Sequence, residues 1–291
     1  CKSCRARRMA LRRLRATLLH TRPYTLPAWA RGRPGRCDEA VQLSFPRDGS
    51  AEVVVVEPGF VVLPGAVDTE AQRLLAGEAW EAGSGRRNPR HSFFEADGSL
   101  RGPKASRGRI FDACAGFDRR LTEALLPACA RWVAQARAAD CAMPAHTASH
   151  LLLLYYREGG TLGFHRDEQA NDGTGDEPVV NLSLGGEMDF AVRHRHDEVA
   201  RVLTLLSGDV VLFGGPCRRL LHAVVATRPA RRDEDVQPAP ARGGRLSFTL
   251  RHAPEVVGHE HLYADFRPQP DDPLHVPTGD ELLLGRSEAG R

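Results

Sequence analysis

No uninterrupted run of about 18 apolar residues occurs in the chain, the length that a helix needs to cross a bilayer. A membrane-spanning helix is therefore not expected, and no membrane partner either. Paired cysteines are also missing. Seven are scattered along the chain, and only Cys1 and Cys4 show the two-residue gap of zinc sites, with no second pair at matching spacing. A zinc ribbon and a disulfide-stapled secreted domain are not indicated, and Cys114, Cys129 and Cys141, in or beside helix-like sequence, read as buried thiols. There is no internal repeat.

Acidic residues are absent from positions 1–37, which carry eleven Lys or Arg. The formal charge of +3 thus hides about −8 over everything else. Arg5, Arg7, Arg8, Arg12, Arg13 and Arg15 interleave with Leu11, Leu14, Leu18 and Leu19, the acid-poor amphipathic character of a transit peptide or of a basic arm. An intracellular protein is expected, in nucleus or cytoplasm, or in a mitochondrion or chloroplast if the leader is a transit peptide. A length of 291 residues suits one main domain with extra segments at its ends. Residues 1–50 read as a disordered leader and linker, because 21–50 are rich in Pro, Gly and Arg without sustained periodicity. Residues 254–291 read as a weakly patterned tail.

Between them, β-branched runs at Val53–Val56 and Phe60–Leu63 predict two strands across a Pro-Gly turn. Asp68 predicts a helix start, with an apolar stripe at Ala71, Leu74, Leu75 and Ala79. A second helix is expected over about 118–139, kinked or split at Pro127. After His150 only short apolar runs recur: Leu151–Tyr156, Val179–Leu184, Met188–Val192, Val202–Leu206, Val210–Phe213, Leu221–Val225 and Leu246–Leu250. The expected fold is therefore mainly β with supporting helices, a jelly roll of two packed sheets. Residues 228–244, dense in Pro, Arg and Asp, read as an inserted loop.

His165 and Asp167 are two apart in Gly-Phe-His-Arg-Asp, so on extended chain both side chains leave one face. His222 follows in another short apolar run. Two imidazoles and a carboxylate on one face of a metal leave the opposite positions open, as in non-haem Fe(II) oxygenases. A zinc hydrolase could use the same three ligands. Arg245 and Arg251 flank Leu246–Leu250 and, six apart, share a face. Two buried guanidinium groups need anions, and a dicarboxylate supplies them through paired hydrogen bonds; the other reading is one structural salt bridge and one exposed arginine. Tyr156 could donate to the same ligand or simply fill the core.

In this order, His165-x-Asp167, Gly214-Gly215 before His222, and Arg245-Leu-Ser-Phe-Thr-Leu-Arg251, the chain resembles the AlkB family of 2-oxoglutarate dioxygenases over about 57–252. Tyr156 stands where that family has a tyrosine on the cosubstrate, and Leu182-Ser183-Leu184-Gly185 resembles its following strand. The resemblance implies a double-stranded β-helix, the jelly roll, over a dioxygenase domain at 51–253. It implies Fe(II) on His165, Asp167 and His222, with 2-oxoglutarate and O₂ as cosubstrates. It further implies that Arg245 takes the distal carboxylate and that Arg251 lies at the chelating end, with Tyr156 and Ser247 also at the cosubstrate. The implied reaction is oxidative demethylation of an alkylated base in DNA or RNA, releasing succinate, CO₂ and formaldehyde. Departures occur at Leu154, where relatives often carry a polar residue, at Ser247, where many carry Asn, and at Gln169, where some use an acid to read the base.

Residues 86–109 occupy the position of the family's substrate lid. Arg86, Arg87 and Arg90 could follow phosphates while His91, Phe93 and Phe94 stack on an extruded base; alternatively the loop is solvated and its phenylalanines anchor it to the core. The acidic body favours a second function, oxygenation of a protein side chain or small molecule by the same centre. A catalytically dead binding module would not need the full set of ligands and arginines.

Overall fold

The computed structural model describes residues 20–30, 38–45, 53–85, 92–101, 107–113, 119–148, 150–167, 175–230 and 243–252. The leader before residue 20, most of the expected inserted loop (231–242) and the tail from 253 lie outside the described residues. Strands are numbered in chain order. One sheet runs β1 (His20–Thr25), β2 (Glu39–Ser44), β10 (Ala200–Leu205), β9 (Glu187–Arg193), β12 (Leu221–Arg228), β7 (Leu162–His165). The other runs β3 (Val54–Glu57), β4 (Phe60–Leu63), β11 (Val210–Phe213), β8 (Val179–Gly185), β13 (Arg245–Arg251), β6 (His150–Tyr156), β5 (Arg107–Ala113). Described neighbours are antiparallel except β2 on β10.

Period-2 alternation sorts side chains into two layers. Phe60, Val62, Tyr156, Val179, Val211 and Phe213 of the second sheet meet Met188, Phe190, Val192, Leu203 and Leu205 of the first, forming the core between the sheets. Their sequence neighbours Val61, Leu63, Leu151, Leu153, Leu182, Leu246, Phe248 and Leu250 face two helices. These are α1 (Thr69–Gly83) and α2 (Arg119–Ala139). The jelly-roll expectation therefore holds, with both helices on one outer face.

Several expectations need correction. Residues 20–25 and 39–44 are strands, not linker. β2 buries Ala40 and Leu43 and pairs with β10, whereas Pro23 is accommodated because β1 is an edge strand. Asp68 does cap α1, accepting from the Ala71 amide at 2.9 Å, but the buried stripe is Gln72, Leu75, Ala76, Ala79 and Trp80, and Leu74 is 66% exposed. Leu75 and Ala79 are buried as expected and Ala71 packs against the core; packing against the sheet adds Gln72, Ala76 and Trp80 and leaves Leu74 outside. α2 continues through Pro127 as one element of 21 residues; its buried Leu121, Leu125, Cys129, Trp132 and Ala136 hold it against the sheet. Cys129 is a buried thiol, pushed up to about 12 by burial. Cys141 is exposed, and Cys114 lies outside the described residues. β5, at the edge beyond β6, was not expected, and it takes residues 107–109 out of the proposed lid.

Candidate functional site

His165 ends β7 and His222 lies at the start of β12, where antiparallel register sets them directly opposite, ring centroids 4.2 Å apart. Asp167 lies just past β7, its Oδ1 3.7 Å from Nε2 of each histidine. One ligand atom from each residue falls within 4.8 Å of the others. Nδ1 of His165 is 2.8 Å from the Gly163 carbonyl and Nδ1 of His222 is 3.1 Å from that of Leu220. A carbonyl only accepts, so each ring donates from Nδ1, which leaves Nε2 facing Asp167.

Burial alone would raise the Asp167 carboxyl, but its interactions with Arg251 first, then with the two imidazoles and Arg218, outweigh burial and hold the group well below the usual carboxylate range. Burial, reinforced by the neighbouring His165, pushes His222 down to about 4, so it is neutral at pH 7. A carboxylate and a neutral imidazole are the protonation states that a divalent cation requires. The residues present therefore fit an Fe(II) ion.

Two arginines hold Asp167, one at its carboxylate and one at its backbone carbonyl. Arg251 Nη1 lies 3.8 Å from Asp167 Oδ1. Arg218, in the turn before β12, is 5% exposed and donates from Nη1 to the Asp167 carbonyl at 2.9 Å. Sequence reading missed Arg218, because an Arg-Arg pair after a Gly-Gly-Pro turn looks like ordinary surface sequence. The turn itself needs glycine: Gly215 has φ +52°, and a Cβ on Gly214 would sit 2.7 Å from Pro178.

On β13, Leu246, Phe248 and Leu250 face the helices. Alternation sends Arg245, Ser247, Thr249 and Arg251 between the sheets, where they form a buried polar strip with Asn181 and Ser183 of β8. Arg245 is fully buried, with Nη2 donating to Ser183 Oγ at 2.7 Å and its Cζ 5.5 Å from the centre of the Tyr156 ring. Among the described residues its Nε and Nη1 have no hydrogen-bond partner. Burial lowers Arg245 to about 10, so it remains a cation at pH 7. A buried guanidinium with unused donors is costly, and a carboxylate satisfies it.

Asn181 donates to Ser247 Oγ and Thr249 Oγ1, both at 2.8 Å, so an amide stands on the strand beside Ser247 rather than at 247 itself. Polar residues alternating with apolar ones in β8 were the available signal for Asn181 and Ser183. Leu154, opposite Ser247, joins the apolar core between the sheets.

Of the expected substrate residues, Arg86, Arg87, Arg90, His91 and Gln169 lie outside the described residues. Phe93 corrects the base-stacking expectation: it is fully buried, with ring centroids 6.1 Å from Trp80 and 5.5 Å from Tyr155. Phe94 is half-buried in the same cluster, 5.9 Å from Trp80. The phenylalanines anchor their loop to α1 and β6, the alternative that the sequence left open.

The sequence profile of the 2OG-Fe(II) oxygenase superfamily matches residues 62–251. An alpha-ketoglutarate-dependent dioxygenase AlkB homolog of Caulobacter vibrioides is 31% identical over 216 residues, 70% of this chain and 91% of that protein. The DNA N(6)-methyladenine demethylase ALKBH1C of Arabidopsis thaliana is 39% identical over 104 residues, 33% of this chain but only 22% of the relative's length. The solved structure of OsALKBH1 superposes with a TM-score of 0.51 at 23% identity, covering 68% of this chain and all of that one, which speaks to the fold. The triad, the buried arginine and these matches lead to one conclusion: the chain belongs to the 2OG-Fe(II) oxygenase superfamily and is similar to its AlkB-like dioxygenases, a family that uses Fe(II), 2-oxoglutarate and O₂.

Proposed function

We propose that the enzyme oxidatively demethylates an N-methylated base in DNA or RNA, with Fe(II) on His165, Asp167 and His222 and the distal carboxylate of 2-oxoglutarate on Arg245. The observation that carries the substrate is the 39% identity to an Arabidopsis protein named as a DNA N(6)-methyladenine demethylase. When bound, Fe(II) supplies hydroxylation of the methyl carbon by O₂, coupled to conversion of 2-oxoglutarate to succinate and CO₂, after which the hydroxymethyl amine loses formaldehyde.

The chain's own residues orient and enclose. The two imidazoles and the carboxylate occupy one face, which leaves the other for cosubstrate and oxygen. Arg245, Tyr156 and Ser247 receive the far end of the cosubstrate, while Arg251 and Arg218 keep Asp167 ionised and in place. Phe190 and Phe213, with ring centroids 5.6 and 5.1 Å from His222, keep water from the inner side of the ligands. The acidic body, about −8 outside residues 1–37, favours the second reading, a protein side chain or small molecule as substrate.

Succinate release measured with Fe(II) over methylated DNA, RNA and peptide substrates decides between them. Stimulation by methylated nucleic acid, lost in Asp167→Ala, is expected. Turnover with peptides alone would overturn the nucleobase reading.

A further inference from the structure

A second group of metal-ligating atoms stands apart from the triad. Glu57 ends β3, His194 follows β9, and Cys217 lies in the 3-10 turn Gly215–Cys217 after β11. Their carboxylate, imidazole and thiol lie within 4.8 Å of one another. One ligand comes from each sheet and the third from the turn that passes between them, so the cluster spans the two layers at their seam.

Its geometry suits a small ion. His194 Nε2 is 3.1 and 3.2 Å from the two Glu57 oxygens, close to the roughly 3.3 Å that separates two ligands sharing a tetrahedral zinc. Arg201 bonds Oε1 of Glu57, while Oε2 faces the His194 imidazole. Cys217 Sγ, buried, now donates to the Pro58 carbonyl at 3.3 Å. The His194 side chain is 42% exposed and gives the cluster access to solvent.

We propose that Glu57, His194 and Cys217 form a second metal site, which takes a borderline-soft divalent cation of the zinc type with water in the fourth position. Sulfur and imidazole favour zinc over calcium or magnesium, and three protein ligands with a water make a complete tetrahedron. On binding, the S–H bond breaks, a sulfur–metal bond forms and the proton leaves to solvent. The ion would clamp the sheets together and hold the turn whose next residue, Arg218, grips the Asp167 carbonyl.

Cobalt(II) titration of the full chain tests this, because the triad His165, Asp167 and His222 contains no sulfur and cannot produce a thiolate-to-cobalt charge-transfer band. Wild type should develop that band, and His165→Ala should retain it. Cys217→Ser should lose the part contributed by this site. His194→Ala, which removes a ring that is 42% exposed, should bind the cobalt that gives the band at least roughly tenfold more weakly, the lower end of what even an outer-shell partner contributes. Identical spectra for wild type and Cys217→Ser, or a His194→Ala titration that overlays wild type, would overturn the site.

Discussion

Arg245 concentrates the chemistry of the proposed cosubstrate pocket in one side chain, because a fully buried cation retains two donors without a partner among the described residues. Arg245→Gln keeps a polar group and removes the charge. Losing one partner of a buried charge pair costs about 2–5 kcal/mol, so KM for 2-oxoglutarate should rise by roughly two orders of magnitude or more, and kcat at saturating cosubstrate should fall much less. Succinate formation against 2-oxoglutarate concentration measures both, and an unchanged KM would remove Arg245 from the pocket. Protons matter at the same scale. His146 and His222 are each pushed down to about 4, in both cases first by burial. An unfolded imidazole titrates near about 6.5. Between those values the unfolded chain binds protons that the folded chain refuses, so stability falls as pH falls through this window and returns above it. The thermal midpoint of metal-free protein should decline from pH 7 to pH 4.5, and His146→Gln should flatten part of the decline.

At the scale of elements, the ligand-bearing strand β7 has support on one side only. β7 has four residues on a sheet edge, paired with β12 across a register shift, and Phe164 on its outer side is held by Arg193, whose Cζ is 4.1 Å from the ring centre. Elsewhere, segments read as unstructured carry load. Leu43 of β2 packs between the sheets at 7% exposure, so Leu43→Ala should destabilise by about 2–4 kcal/mol; a linker residue would cost nothing, and denaturant unfolding distinguishes the two. Phe93→Ala should cost about 3–5 kcal/mol for the same reason. Loss of nucleic-acid binding without loss of stability in that variant would restore Phe93 as a stacking residue.

For the whole molecule, charge is divided between a basic leader, a basic loop and an acidic body. If nucleic acid is the substrate, the cations that follow its phosphates must come from the basic segments. Charge reversal at Arg86, Arg87 and Arg90 should therefore weaken oligonucleotide binding and reduce its dependence on salt, roughly one counterion per lost phosphate contact. Unchanged affinity at low salt would point away from the lid and toward the peptide or small-molecule reading.

The jelly roll, the two helices and the order of the candidate ligands are legible along the chain, because alternation, capping at Asp68 and the His-x-Asp spacing are local properties. The sequence also marked the Arg245–Arg251 pair, since residues six apart on a strand share a face whatever lies opposite. Tertiary structure alone decided the rest. β1 and β2 are strands because β10 offers an edge, not because their composition asks for it. Phe93 is an anchor because Trp80 and Tyr155, distant in sequence, close around it. Arg218 reaches Asp167, and Cys217 meets Glu57 and His194, only where the two sheets converge, and no local pattern encodes contacts between residues so far apart along the chain.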